Sequence, residues 1–134
     1  MKNSLKILSQ ERNVIKYGAR SHDDVISIMK KMDCLVLPSY SEGFPLVVME
    51  AMSCGLPIIA PSIGGIPDVV KDDINGLLYS EGSEEELLNA MINIGKGDRI
   101  ESLSKQNFLD SKKYSIEKTA EDYLNIFTDS KNKI

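Results

Sequence analysis

Two glutamates, Glu42 and Glu50, are separated by seven intervening residues in the stretch SEGFPLVVMEAMSCGLP, Ser41 to Pro57. The first precedes an apolar run and the second interrupts it. A helix entered through Glu42-Gly43-Phe44-Pro45 presents unpaired backbone amides and the positive end of its dipole, a setting suited to phosphate oxygens. Gly43, lacking a Cβ, lets a ligand come close to the backbone. At this threshold Glu42 has two readings: a carboxylate that complements the dipole, or an acceptor for the hydroxyls of a ligand. Glu50, flanked by Val47, Val48, Met49, Ala51 and Met52, is expected to be buried, and a buried charge needs compensating donors. Ribose hydroxyls would supply them, and so would a Lys or Arg from another element.

Other chemistries find less support. Pro61-Ser62-Ile63-Gly64-Gly65 is a second glycine-bearing connection that a tight turn accounts for equally well. Neither GxGxxG nor GxxxxGK[ST] is present. His22, the one histidine, lies in SHDD at a helix start and reads as a solvated or capping residue. There is no Ser-His-Asp arrangement, no Cys/His cluster and no DxD, so no metal and no cofactor are expected. Glu84, Glu85 and Glu86 sit at a helix start, where complementing the dipole explains them.

These residues must be held by a fold, and 134 residues, 42% hydrophobic and 27% charged, suit one soluble domain. The net charge of −4 argues against nucleic-acid or anionic-membrane binding, which draws on excess Lys and Arg. No apolar run approaches the ~20 residues that span a bilayer, and no signal-peptide core is visible, so a cytosolic location is expected. Cys34 and Cys54, without a CxxC partner, are expected to be reduced and buried.

Along the chain, strand-like and helix-like segments alternate. Asn13 to Tyr17, Cys34 to Leu37, Pro57 to Ala60 and Gly76 to Tyr79 read as four strands. Helices are expected over Asp23 to Met32 after the caps Ser21 and Asp23, over Pro45 to Cys54 with Pro in the first position and Gly55 as terminator, and over Ile66 to Lys71. A helical tail over about 83–128 opens with the capping box Ser83 to Glu86 and continues with helices around Arg99 to Lys113 and Ser115 to Thr128. Such alternation implies an α/β fold, a Rossmann-like, mainly parallel sheet of about four strands with flanking helices. Ligands then bind beyond the carboxyl ends of the strands, where Gly18 to Ser21, Ser39 to Pro45 and Pro61 to Gly65 all converge.

The run SEGFPLVVMEAMSCGLPIIAPSIGGIPDVVKDDINGLLY closely resembles the donor-binding core of retaining, group 1 (family 4) glycosyltransferases of the two-Rossmann GT-B fold. EGFPLVVMEAM, CGLPIIA, GGIPDVV and NGLLY occur in that family's order and spacing, and the likeness extends to most of the chain. The resemblance implies that Glu50 receives the ribose hydroxyls of a nucleotide-sugar and that Glu42 lies beside the donor sugar and the reacting centre, as the catalytic residue. It also implies that Gly43, Phe44, Pro45 and Leu46 face sugar and diphosphate, that Tyr17, Gly18 and Ala19 line the nucleobase, and that Gly64 and Gly65 belong to the donor-binding surface. The nucleotide-sugar is substrate, and no metal or other cofactor is implied.

The same resemblance marks departures. The family's two earlier strands, its glycine-bearing loop, its Arg/Lys pair for the diphosphate and its acceptor-binding domain do not match any part of this chain, so residues 1–134 correspond to one incomplete donor-binding domain. In a 3-2-1-4-5-6 sheet the unmatched strands fall between Asn13 to Tyr17 and Cys34 to Leu37, leaving an apolar edge that invites self-association. The expected function is the donor-binding portion of a hexosyltransferase, inactive alone and, in the intact enzyme, cytoplasmic or alternatively membrane-peripheral. The competing functions are a non-catalytic subunit of a split enzyme and a small nucleotide-binding or structural protein.

Overall fold

A computed structural model describes residues 14–43, 45–115, 117–118, 120–122 and 124–125. Helix α1 (His22–Met29) leads to strand β1 (Leu35–Val36), helix α2 (Leu46–Ser53), strand β2 (Ile58–Pro61), the single turn α3 (Ile66–Val69) and strand β3 (Gly76–Tyr79). Helices α4 (Glu84–Ile94) and α5 (Arg99–Ser111) follow, and a 3-10 turn, Lys112–Tyr114, extends α5. The described residues between 117 and 125 are helical. The rest of the helix expected over Ser115 to Thr128 lies outside the described residues.

The three strands form one parallel sheet in the order β1-β2-β3, with Leu35 opposite Ile58 and Ile58 opposite Gly76. Because strand side chains alternate, each strand feeds two cores. Leu35, Leu37, Ile58, Ala60 and Leu78 face Met29 of α1 and Val48, Ala51 and Met52 of α2. Cys34, Val36, Ile59, Leu77 and Tyr79 face Leu87, Ala90 and Ile94 of α4 and Ile100 and Leu103 of α5. Helices therefore cover both faces of the sheet, which is why β2 and most of β3 read as unbroken apolar runs. The fold is Rossmann-like α/β, as expected.

The fourth strand is not formed. Val14 to Tyr17 make no sheet, with Ile15 74% exposed; Asn13 lies outside the described residues. A strand exists only through a ladder partner, and β1, two residues long, is paired with β2 alone. The sheet is three-stranded among the described residues.

Helix α5 closes the amino end of the sheet. Its Ser104 hydroxyl donates to Gly55 O, and Asn107 Nδ2 donates to Leu56 O, 2.8 Å away, and to Asn75 O. Asn75 Nδ2 in turn donates to Val69 O (3.0 Å) and to Asp110 Oδ2 (3.2 Å). Buried amides thus pair the carbonyls of the turns that enter β2 and β3. Burial pushes the Asp110 carboxyl up, but hydrogen bonds from Lys113, Gln106 and Asn75 outweigh it, so the group lies below its ordinary value of 3.8.

Several local expectations are corrected. Helix α1 stops at Met29, and Met32 is 44% exposed rather than part of the apolar stripe. Pro45 is the N-cap of α2, one position before the first helical residue. Ser83 caps α4 by accepting the Glu86 N–H (3.2 Å), but Glu86 does not answer it. The Ser83 N–H is taken by Ser80 O, and the Glu86 carboxylate accepts the Ser80 N–H (2.6 Å) and hydroxyl (3.1 Å) instead. Cys34 and Cys54 are free thiols, half-buried rather than buried. Burial, and then the neighbouring Asp33, push the Cys34 thiol above its ordinary value.

Candidate functional site at the carboxyl rim

The carboxyl ends of β1 and β2 open into the loops Leu37 to Pro45 and Ser62 to Gly65, and the start of α2 lies between them. Helix α2 begins there because Pro45, extended at φ −78° and ψ 99°, cannot continue a hydrogen-bonded turn backwards. No side chain caps this end, and its first turn carries no acid. Its amide dipoles therefore face the rim without a built-in anion.

The structure brings Glu42, Gly43, Gly64 and Gly65 together. Gly65 N–H donates to Gly43 O at 2.8 Å. Gly64 has φ +51°, and a Cβ there would stand 1.7 Å from Glu42 O and 2.8 Å from Glu42 C. Only glycine permits this approach, because the two loops touch backbone to backbone. Gly43 differs: it is exposed, and a Cβ on it would meet nothing within 4 Å. Glu42 is half-buried, and the Ser39 hydroxyl donates to its Oε1.

Glu50 departs from expectation. Its side chain is 28% exposed, because it lies one helical turn after Leu46, itself 69% exposed, on the uncovered side of α2. The apolar neighbours Val48, Ala51 and Met52 fill the core on the other side. The partner of Glu50 is His22, whose Nδ1 lies 3.2 Å from Oε1. No Lys or Arg ion pair holds Glu42 or Glu50 among the described residues.

Tyr17, Gly18 and Ala19 are exposed and lead into α1. Tyr17 lines a shallow cavity of about 270 Å³ with Arg20, Asp24, Ser27, Ile28 and Lys31. Pro45 is buried, and Phe44 lies outside the described residues. A second cavity of about 210 Å³ opens at the rim between Ser39, Tyr40, Tyr79 and Ser83. Burial, and then Tyr40, push the Tyr79 phenol above its ordinary value; its hydroxyl donates to Leu37 O at 3.3 Å.

Sequence reasoning missed Ser39 and His22. Ser39 precedes Glu42 by three positions in a loop, a spacing at which a hydroxyl reaches a following side chain, so the signal was present. His22 carried none, since its contact crosses from one helix to another.

The chain matches the sequence profile of the family described as glycosyl transferases group 1 over residues 1–108. A glycosyltransferase of Methanocaldococcus jannaschii described as uncharacterized is 37% identical over 102 residues, 75% of this chain and 29% of that protein. Sucrose-phosphate synthase from Thermosynechococcus elongatus is similar at a TM-score of 0.79 and 26% identity, covering 95% of this chain and 33% of that one. HepE from Anabaena, solved with UDP-glucose, superimposes at a TM-score of 0.81 with 23% identity, covering 96% of this chain and 35% of that one. The chain thus spans about a third, or less, of the length of these proteins.

Proposed function

The chain belongs to the glycosyl transferases group 1 family, and on that premise we propose that it is the nucleotide-sugar donor-binding portion of a retaining glycosyltransferase that moves a hexosyl group onto an acceptor hydroxyl. The observation that carries this reading is the pair of partly exposed carboxylates, Glu42 and Glu50, flanking an uncapped helix start at the carboxyl rim. Those three elements match the three parts of such a ligand: sugar, diphosphate and ribose.

On this reading the amides of Gly43 and Leu46 and the α2 dipole face the diphosphate, whose leaving oxygen gains charge as the sugar departs. Glu42, steadied by Ser39, lies beside the sugar and the reacting carbon. Glu50 accepts the ribose hydroxyls, and Tyr17, Gly18 and Ala19 border the base. The open space above Gly43 supports this: packing within the protein does not demand glycine there, whereas a ligand against the backbone would. Gly64 and Gly65 act by holding Glu42 and Gly43 in place, and Phe44 and Pro45 are assigned by resemblance. The reaction is assigned no metal or cofactor, the acceptor belongs to a separate domain, and the intact enzyme works in the cytosol or on a membrane surface. Among the described residues no helix is long and apolar enough to cross a membrane.

Calorimetric titration with uridine, guanosine and adenosine diphosphates, each with and without an attached hexose, tests the reading. Saturable binding of at least one, with Kd no weaker than about 1 mM, is the expected result. Failure of all six to bind the folded chain overturns it. UDP and UDP-glucose come first, because the Anabaena structure holds UDP-glucose.

A further inference from the structure

His22 opens α1 and Glu50 lies inside α2, so their contact joins two helices separated in sequence by β1 and the rim loop. His22 Nδ1 lies 3.2 Å from Oε1 of the carboxylate. We propose that His22 is a positioning residue for the sugar ring of the nucleotide: it anchors Oε1 of Glu50, so that Oε2 remains the acceptor available to a ribose hydroxyl. The proposal deepens the donor-binding reading and rests on its assignment of Glu50 to ribose.

Three observations support it. First, the location of His22 is determined by the fold. Ser21 caps α1 by accepting the Asp24 N–H at 3.3 Å, which starts the helix at His22, and Val25, Ile26 and Met29 pack α1 into the core it shares with α2. Second, the contact contributes little to folding, because the His22 side chain is 66% exposed, and ion pairs so open to water are weak. Its consequence is orientation. A half-exposed glutamate otherwise moves among rotamers that a ligand must immobilise, and anchoring one oxygen beforehand lowers that entropic cost. Third, the arrangement leaves capacity in the carboxylate, which accepts at both oxygens. A neutral imidazole suffices when its proton is on Nδ1, and an imidazolium donates from the same atom.

The test compares the parent with His22→Ala and His22→Asn. The asparagine Nδ2 occupies nearly the same place as the histidine Nδ1, so it retains the anchoring donor without the ring. The probe is whichever of uridine, guanosine and adenosine diphosphate the parent binds most tightly, together with its 2′-deoxy form. The parent is expected to favour the ribose form by about tenfold. His22→Ala should bring that ratio to within about twofold by weakening the ribose form alone, at an unchanged melting temperature, and His22→Asn should restore it. A folded His22→Ala that keeps the parental ratio, or an asparagine variant that fails to restore it, overturns the positioning role while leaving the donor reading standing. A parent that binds none of the three, or that binds both sugar forms equally, overturns the ribose assignment and this proposal with it.

Discussion

Gly64 lies against Glu42 so closely that a Cβ on the glycine would stand 1.7 Å from the glutamate's carbonyl oxygen. The loop after β2 therefore sets the position of the loop after β1, and through it the start of α2.

Gly64→Ala should be strongly destabilising. The methyl must displace Glu42, and a left-handed φ costs an L-residue a further ~1–2 kcal/mol. Urea denaturation should place the total above about 2 kcal/mol, with binding of nucleoside diphosphate lost. Gly43→Ala, facing open space, should leave stability within about 0.5 kcal/mol of the parent while weakening the ligand. Equal stability of the two variants would contradict the packing argument.

Glu50→Ala should weaken nucleoside diphosphate binding by about 1 to 3 kcal/mol, the range for hydrogen bonds to a charged group. Because the carboxylate is 28% exposed, stability should fall by less than about 1 kcal/mol. Glu42→Ala should bind the free diphosphate as the parent does and lose preference for the sugar-bearing form. Paired calorimetry and thermal melts measure both. A large stability loss in Glu50→Ala with unchanged binding would make the residue structural.

Asp110 makes stability depend on pH in a defined direction. Its carboxyl lies below 3.8 in the folded chain, so the unfolded state binds the proton first as pH falls. The contribution is complete above the unfolded value and is lost as pH drops below about 4. Asp110→Asn should lower stability at pH 7 and flatten the profile between about pH 5 and pH 2, as read by urea midpoints. An unchanged acid limb would exclude Asp110 as its source. Lys113, 70% exposed, should matter less.

The outer edge of β1 should promote pairing of chains. Leu35 N–H and Leu37 N–H bond to Pro57 O and Ile59 O, both at 2.9 Å, so the intervening Val36 N–H points away from β2. Light scattering should show association that rises with concentration, and Val36→Pro, which removes the outward donor, should reduce it. Identical association by the variant would place the contact elsewhere.

Much of the local structure was legible in the residues alone. Gly76 to Tyr79 form β3 as read, Ser21 and Ser83 cap the helices they precede, and Glu42 lies in the loop that follows β1, at the carboxyl rim where the strand-helix alternation put it. These features depend on neighbours a few positions away: side-chain periodicity, a cap within one turn, a proline or glycine that stops an element. What required tertiary structure involves partners far apart in the chain. Val14 to Tyr17 have the composition of a strand but no ladder. Glu50, apolar in its sequence context, is half-exposed because the core covers only one side of α2. His22, read as solvated, meets that carboxylate across 28 positions of sequence. A periodic pattern specifies what a segment can become, whereas exposure and pairing are settled only when another segment covers one face and leaves the other open.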